Sequence, residues 1–293
     1  MSTNIGIIGQ GFVGSAIREG LKGFYPLKAY DIEPEKCFNM KKEQNKRLEE
    51  LVSFSEIIFV CVPTPMRKDG SCDTRILESA ISDAYENVKK LDLTPIHSDF
   101  LKTAKRKKIF VIKSTVPPGT TERISSNYPR ISLCFSPEFL TEANSFEDFK
   151  NQSRIIIGGP RPATGIVKQM FRRAFPTTPI VKTGTKTAEM VKYFTNCFLA
   201  TKVTFGNQMY EICDIAGIDY DKVCEYALYD DRIGKSHLAV PGPDGDRGFG
   251  GHCFPKDLAA MIKYAKDLDV MDPTFLESVV QFNDTVRSIR DWE

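Results

Sequence analysis

The sequence predicts an α/β fold: a doubly wound parallel sheet in the N-terminal part, followed by an all-helical part with one long helix. Three observations carry this. Short β-rich runs alternate with helical stretches from residue 1 to about residue 184. Several of those runs are apolar throughout rather than alternating, which suits parallel strands covered on both faces. From about Thr187 onward the pattern turns helical.

The runs are Asn4–Ile8, Leu27–Tyr30, Ile57–Val62, Ile109–Ile112, Ile131–Phe135, Arg154–Ile157 and Pro179–Val181. Residues 187–216 contain no proline and one glycine, Gly206, and read as a single helix about 45 Å long at ~1.5 Å per residue. Gly217 suits its C-terminus. A shorter helix near 219–229, a Gly/Pro-rich loop over 241–251, a helix starting near 256 and a last one near 273–290 complete the chain. The expected domains are 1–184 and 185–293.

A chain of 293 residues with 41% hydrophobic content can bury one large core or two smaller ones. The net charge of +2 lacks the basic excess of a nucleic-acid binder, and the run Lys102 to Lys108 reads as a solvated helix end before a strand. No apolar stretch approaches the ~20 residues that span a bilayer, so no membrane partner is expected. Asn4-Ile5-Gly6-Ile7-Ile8 follows the N-terminus without a basic leader or cleavage site, and a cytoplasmic location is the expectation. The eight cysteines are scattered singly with no CxxC pair, so no metal site is expected. Cys61 and Cys134 lie in apolar runs and read as packed thiols.

Gly9-Gln10-Gly11-Phe12-Val13-Gly14 follows the first run directly and opens a helix, as in a Rossmann-type dinucleotide site. Gly9 would permit the tight turn, Gly11 the approach of a pyrophosphate, and Gly14 close packing of helix on strand. Amides at the helix N-terminus would face the phosphates. Asp31 ends the second run, 22 residues after Gly9. A carboxylate there accepts from ribose hydroxyls and repels a 2′-phosphate, which favours NAD over NADP.

Gly248-Phe249-Gly250-Gly251-His252-Cys253-Phe254-Pro255-Lys256-Asp257 is the densest segment. Its glycines let backbone approach a ligand. Cys253 stands just before a helix start, and that position with a nearby lysine favours thiolate. A packed thiol is the alternative reading. Lys192 and Asn196 are four apart and share one helix face, either as site groups or turned to solvent. Three loops follow apolar runs at the carboxyl end of the sheet, where such folds bind ligands: Val62-Pro63-Thr64-Pro65, Lys113 to Thr120, and Ser136-Pro137-Glu138-Phe139-Leu140-Thr141-Glu142.

In this order, GQGFVG, VPTP, KSTVPPGTT, SPEFLTE, EMVKYFTNCFLATKV and GFGGHCFPKD resemble the signature segments of the UDP-glucose/GDP-mannose dehydrogenase family, UDP-glucose 6-dehydrogenase above all. The resemblance covers nearly the whole chain. It implies a four-electron oxidation of a sugar C6 alcohol to a carboxylate, with two NAD reduced. Cys253 would hold the aldehyde as a thiohemiacetal and then a thioester. Lys192 or a water held by Asp257 would be the first base. Lys192 and Asn196 would stabilise the oxyanion, and Glu138 with Thr115 would position the hydrolytic water. The matching segments place Phe12, Val13, Pro63, Thr64, Ser114, Thr115, Glu142 and Lys256 with the glycines and Asp31 around NAD. They place Phe139, Leu140, Arg232, Phe249, Gly250 and Gly251 at the sugar nucleotide. The long helix resembles the family's dimerisation helix, so a homodimer through 187–216 is expected.

Two departures matter. The family's further C-terminal nucleotide-sugar domain has no counterpart before Glu293, so the chain reads as a short form, and the loop 235–251 with Arg232 and Arg247 is expected to supply nucleotide contacts. Thr141 stands where relatives often place Arg or Ala. Two other functions compete. A β-hydroxyacid-type dehydrogenase would transfer one hydride and needs no cysteine nucleophile. A non-catalytic NAD-binding regulator would have lost substrate binding.

Overall fold

The structure, a computed structural model, describes residues 3–93, 107–270 and 273–292. Most of the basic run read at 102–108 lies outside the described residues. The chain divides into two compact units: Met1–Thr64 with Asp73–Lys192, and Pro65–Cys72 with Tyr193–Glu293.

The first unit is a seven-stranded sheet with flanking helices. Its elements are β1 (Ile5–Ile8), α1 (Phe12–Leu21), β2 (Leu27–Tyr30), α2 (Arg47–Phe54), β3 (Ile57–Val60), α3 (Arg75–Leu93), β4 (Lys108–Ile112), α4 (Thr120–Ser125), β5 (Ile131–Phe135), α5 (Ser145–Lys150), β6 (Ile155–Gly158), α6 (Ala163–Ala174) and β7 (Ile180–Thr183). The strand order is β2-β1-β3-β4-β5-β6-β7. β1 to β5 pair in parallel. β6 meets β5 antiparallel through the single pair Phe135–Gly158, and β7 runs parallel to β6. The sheet is therefore mostly, not wholly, parallel.

The apolar runs follow from burial on both faces. Ile57, Phe59, Ile109 and Val111 pack on one side with α1 and α6, and Ile58, Val60, Phe110 and Ile112 on the other with α2 and α3. Successive strand side chains point to opposite faces, so both positions of the repeat must be apolar.

The second unit is helical. It takes most of α7 (Thr185–Ala216), then α8 (Tyr220–Ala227), α9 (Phe254–Asp267) and α10 (Thr274–Val286). α7 begins two residues before the sequence pattern suggests, and the unit boundary falls inside it, after Lys192. Its C-terminus closes in a Schellman motif: Gly217 has φ +68, the Ile218 amide bonds the Cys213 carbonyl at 2.8 Å, and the Gly217 amide bonds the Asp214 carbonyl at 3.2 Å. Residues 65–72 turn back on themselves through a Met66–Cys72 bridge and carry Gly70 onto Ala259 of α9. Cys72 is buried with Tyr193 and Ala260.

Candidate active site

The turn after β1 explains two of its glycines by the fold alone. Gly9 has φ +89, and a Cβ there would lie 2.5 Å from the Cys61 carbonyl oxygen beyond β3. A Cβ on Gly14 would overlap the Gly9 carbonyl oxygen. Gly11 differs: it caps α1, its φ of −66 suits any residue, and nothing lies within 4 Å of an added Cβ. The open space at Gly11, ahead of the free amides of a ten-residue helix, fits a dinucleotide pyrophosphate. The Asp31 carboxylate is fixed by the Gln10 amide at 2.6 Å and the Glu33 amide at 3.0 Å. Phe12 is exposed and Val13 half-buried on the first turn of α1.

The loops after β3 and β4 are stitched together. Ser114 Oγ donates to the Val62 carbonyl at 2.6 Å, and Thr64 Oγ1 donates to the Thr115 carbonyl at 2.8 Å. Both hydroxyl protons serve the scaffold around Pro63. The next turn is anchored by Glu189, which sequence reasoning missed. Its carboxylate, wholly buried, accepts the Gly119 amide at 2.6 Å and the Thr121 amide at 2.8 Å. Burial holds its carboxyl above the usual range, against the pull of those hydrogen bonds.

Beyond β5 the structure pairs two predicted residues. Lys192 Nζ lies 2.9 Å from Glu138 Oε1, with side chains 4% and 9% exposed, and Glu138 Oε2 accepts the Leu140 amide at 2.7 Å. A buried ammonium or carboxylate needs a partner of opposite charge, and this pair provides one for each. Phe139 is half-buried, with the Arg154 guanidinium 3.9 Å from its ring centre. A second lysine, Lys113, is buried nearby and donates to the Pro137 carbonyl at 2.9 Å. Burial lowers it to about 8, although Cys61 and Glu138 act in the opposite direction.

In the second unit, Asn196 Nδ2 donates to Asp257 Oδ2 at 2.6 Å, and Lys256 Nζ donates to Asp257 Oδ1 at 2.5 Å. Asp257 is 1% exposed. Burial opposes the Lys256 charge, but the Asp257 carboxylate and the Cys72 and Cys253 thiols raise it above the ordinary lysine value. Lys192 and Asn196 are thus both buried rather than turned to solvent.

Cys253 is half-buried and caps α9, with Pro255 in the first turn. Burial pushes the Cys134 and Cys197 thiols up to about 12, and desolvation does the same to half-buried Cys61. Those three are poor nucleophiles on that account. In the glycine loop before Cys253, Phe249 is buried and Gly250 and Gly251 are half-buried.

Three other predicted residues are exposed or engaged with local partners. Glu142 is exposed, and the neighbouring Thr141 binds Asp148 through its amide at 2.8 Å and its hydroxyl at 2.6 Å. Arg232 is 89% exposed and clasps its neighbour Asp230. Arg247 is engaged within the second unit: its Nη2 lies 3.0 Å from Glu211 Oε1 and its guanidinium 5.4 Å from the Tyr210 ring centre. A signal for the missed Glu189 was present. Glu189, Lys192, Asn196 and Asn207 recur at helical spacing along α7, and all are buried.

Residues 31–175 match the NAD-binding domain of the UDP-glucose/GDP-mannose dehydrogenase family, and residues 186–285 match its central domain. UDP-glucose 6-dehydrogenase YwqF of Bacillus subtilis is 31% identical over 317 residues, covering 98% of this chain and 67% of that protein. UDP-glucose 6-dehydrogenase TuaD of the same organism is 29% identical over 279 residues, covering 93% of this chain and 56% of that protein. The solved UDP-glucose dehydrogenase of Pyrobaculum islandicum superposes with a TM-score of 0.79 at 26% identity, covering 97% of this chain and 68% of that one. The chain therefore spans between about half and two thirds of the length of these relatives. Matched along both of its units, the chain belongs to the UDP-glucose/GDP-mannose dehydrogenase family and carries that family's NAD-binding domain.

Proposed function

We propose that this chain catalyses the NAD-dependent four-electron oxidation of the C6 primary alcohol of a nucleotide sugar, UDP-glucose first, to the uronate. The observation that carries the reading is the Asn196–Asp257–Lys256 array, with Asn196 and Asp257 buried, and with Lys256 and Asp257 in the first turn of the helix that Cys253 caps. The names of the similar proteins support the substrate class.

NAD, bound twice in succession at the β1–α1 turn, would supply one hydride acceptor for each of the two oxidations. A water held by Asp257 removes the C6 hydroxyl proton; Lys192, ion-paired with Glu138, is better suited to stabilise charge than to accept a proton. Cys253 adds its sulfur to the aldehyde carbon while the aldehyde oxygen takes up a proton, giving a thiohemiacetal. Departure of the C6 hydrogen as the second hydride, with the thiohemiacetal hydroxyl proton passing to the water held by Asp257, would leave a thioester. Water, positioned by Glu138 and Thr115, then attacks the acyl carbon, and the C–S bond breaks to restore the thiol and release the acid. Lys192 and Asn196 stabilise the oxyanions as an ammonium and an amide donor.

A panel of UDP- and GDP-sugars with NAD tests this by absorbance at the NADH band. Two NADH per sugar are expected. One equivalent would favour the single-hydride alternative. No NADH with NAD binding retained would make the chain a non-catalytic NAD binder. Cys253→Ser should stall before acid forms.

We also propose a homodimer through α7. Phe194, Phe198, Phe205, Ile212 and Ile215 form an exposed apolar stripe at near-heptad spacing, and Phe194 and Phe198 stack at 6.4 Å. A two-fold pairing would cover this stripe with its own copy. The location we propose is the cytoplasm, because none of the eight cysteines is joined in a disulfide.

A further inference from the structure

Glycine-rich backbone has little side-chain packing to order it, yet three of the four residues 248–251 are each hydrogen-bonded to a side chain of the second unit, and the fourth is closely packed against one. The Gly248 amide donates to Asn207 Oδ1 at 3.1 Å. The Phe249 amide donates to Asn283 Oδ1 at 2.7 Å, and the Phe249 carbonyl accepts from Asn283 Nδ2 at 3.0 Å. Gly250 lies against Arg287, where an added Cβ would come within 2.6 Å of Cζ and 2.8 Å of Asp291 Oδ1. The Gly251 amide donates to Asp291 Oδ1 at 2.9 Å. Gly248 and Gly251 have φ of +69 and +71, so the path is one that other residues resist.

The fasteners are themselves held. Asn207 and Asn283 are almost wholly buried, so water cannot substitute for their hydrogen bonds. Arg287 is buried with Nη1 2.7 Å from Asp244 Oδ2 and Nε donating to the Ile289 carbonyl at 2.9 Å. Asp246 Oδ2 accepts the Ser288 and Ile289 amides, each at 3.0 Å. The segment 241–247 therefore grips the turn after α10, and that turn grips the glycines.

We infer that Asn283 and Arg287 are positioning residues that set the place and reactivity of the Cys253 thiol. They act through the backbone of 248–251, two residues before Cys253. This rests on reading Cys253 as the nucleophile. Covalent capture of an aldehyde depends on near-attack geometry, and a misplacement of about 1 Å costs on the order of 100-fold in rate.

The test uses the full chain with Asn283→Ala, Asn283→Asp and the milder Arg287→Lys. Asn283→Asp keeps an acceptor for the Phe249 amide but sets a carboxylate oxygen against the Phe249 carbonyl. Four readouts are taken: hydrogen exchange of peptides covering 248–253, iodoacetamide labelling of Cys253 by peptide mass spectrometry, NADH affinity by fluorescence titration, and kcat with KM. In the Asn283 variants exchange and labelling should rise at least about tenfold as the loop is released. NADH affinity should be unchanged, and kcat should fall on the order of 30-fold or more with KM within about threefold. Arg287→Lys should move each in the same direction by less, and it carries the test if Asn283→Ala loses its cooperative melt. Labelling and exchange within twofold of the parent would overturn the inference, as would a released loop with kcat intact. If the parent chain itself oxidises no nucleotide sugar, the proposed function fails, and labelling with exchange still decides the role of Asn283 and Arg287.

Discussion

Single alanine substitutions at Gly9, Gly11 and Gly14 should separate what the turn does for the fold from what it does for a ligand. At Gly9 the left-handed φ of +89 costs about 1–2 kcal/mol for any side chain. The 2.5 Å approach to a backbone oxygen adds about 1–3 kcal/mol of overpacking, for roughly 3 kcal/mol in all. Gly14→Ala meets the Gly9 carbonyl oxygen and should cost about as much. Gly11→Ala meets nothing within 4 Å. Alanine is a poorer N-cap than glycine by about 0.5–1 kcal/mol, while the stiffer unfolded chain returns about 0.4–1 kcal/mol. Stability should therefore stay within about 0.5 kcal/mol of the parent. The methyl would nevertheless occupy the space in front of the helix amides, and NADH affinity should fall at least about tenfold, or about 1.4 kcal/mol. Urea denaturation and NADH fluorescence titration give the two numbers separately. Gly11→Ala that binds NADH as tightly as the parent, or Gly9→Ala that is as stable as the parent, would refute the reasoning.

Asn196→Ala should lower kcat on the order of 100-fold with little change in KM, because it removes an amide donor aligned by Asp257; steady-state kinetics on the best sugar nucleotide would show it. Lys113→Met should be more stable than the parent at pH 7. The buried lysine titrates at about 8, below its ordinary 10.5, so the folded state carries a penalty below pH 8 that fades as pH rises toward 10.5. The penalty is up to ~3 kcal/mol, less ~1 kcal/mol for the lost hydrogen bond to Pro137. The difference in urea stability should therefore narrow between pH 8 and pH 10, and a gap independent of pH would argue against it. Phe198→Asp should convert a dimer to a monomer in sedimentation velocity, and an unchanged sedimentation coefficient would remove α7 as the interface.

The seven strands were legible because each is short and buried on both faces, which leaves a run of apolar residues such as Ile57–Val60. The reversal of β6 and β7 was not, because Ile155–Gly158 has the same composition whichever way it runs. Gly9 and Gly14 were legible in type and in reason, since backbone geometry demands them. The pairing of Glu138 with Lys192 was not, since those residues are brought together only by the fold. Asn283 looked like one polar residue among several in a mixed helix, and only the structure shows it completing the hydrogen bonds of Phe249. Arg232 shows the opposite limit: its motif matches the family, while in this chain it folds back on Asp230.

The stretch 65–72 decides where the chain can be cut. It belongs with the helical unit although the residues on both sides of it belong with the sheet, so the backbone passes between the units three times. A fragment starting at Tyr193 would leave behind Cys72 and Gly70, and with them the packing of Tyr193, Ala259 and Ala260. A fragment ending at Lys192 would keep a hairpin with no partner to bury it. Neither half is a free-standing cassette, and an exchange with a relative has to graft both stretches of the helical unit together.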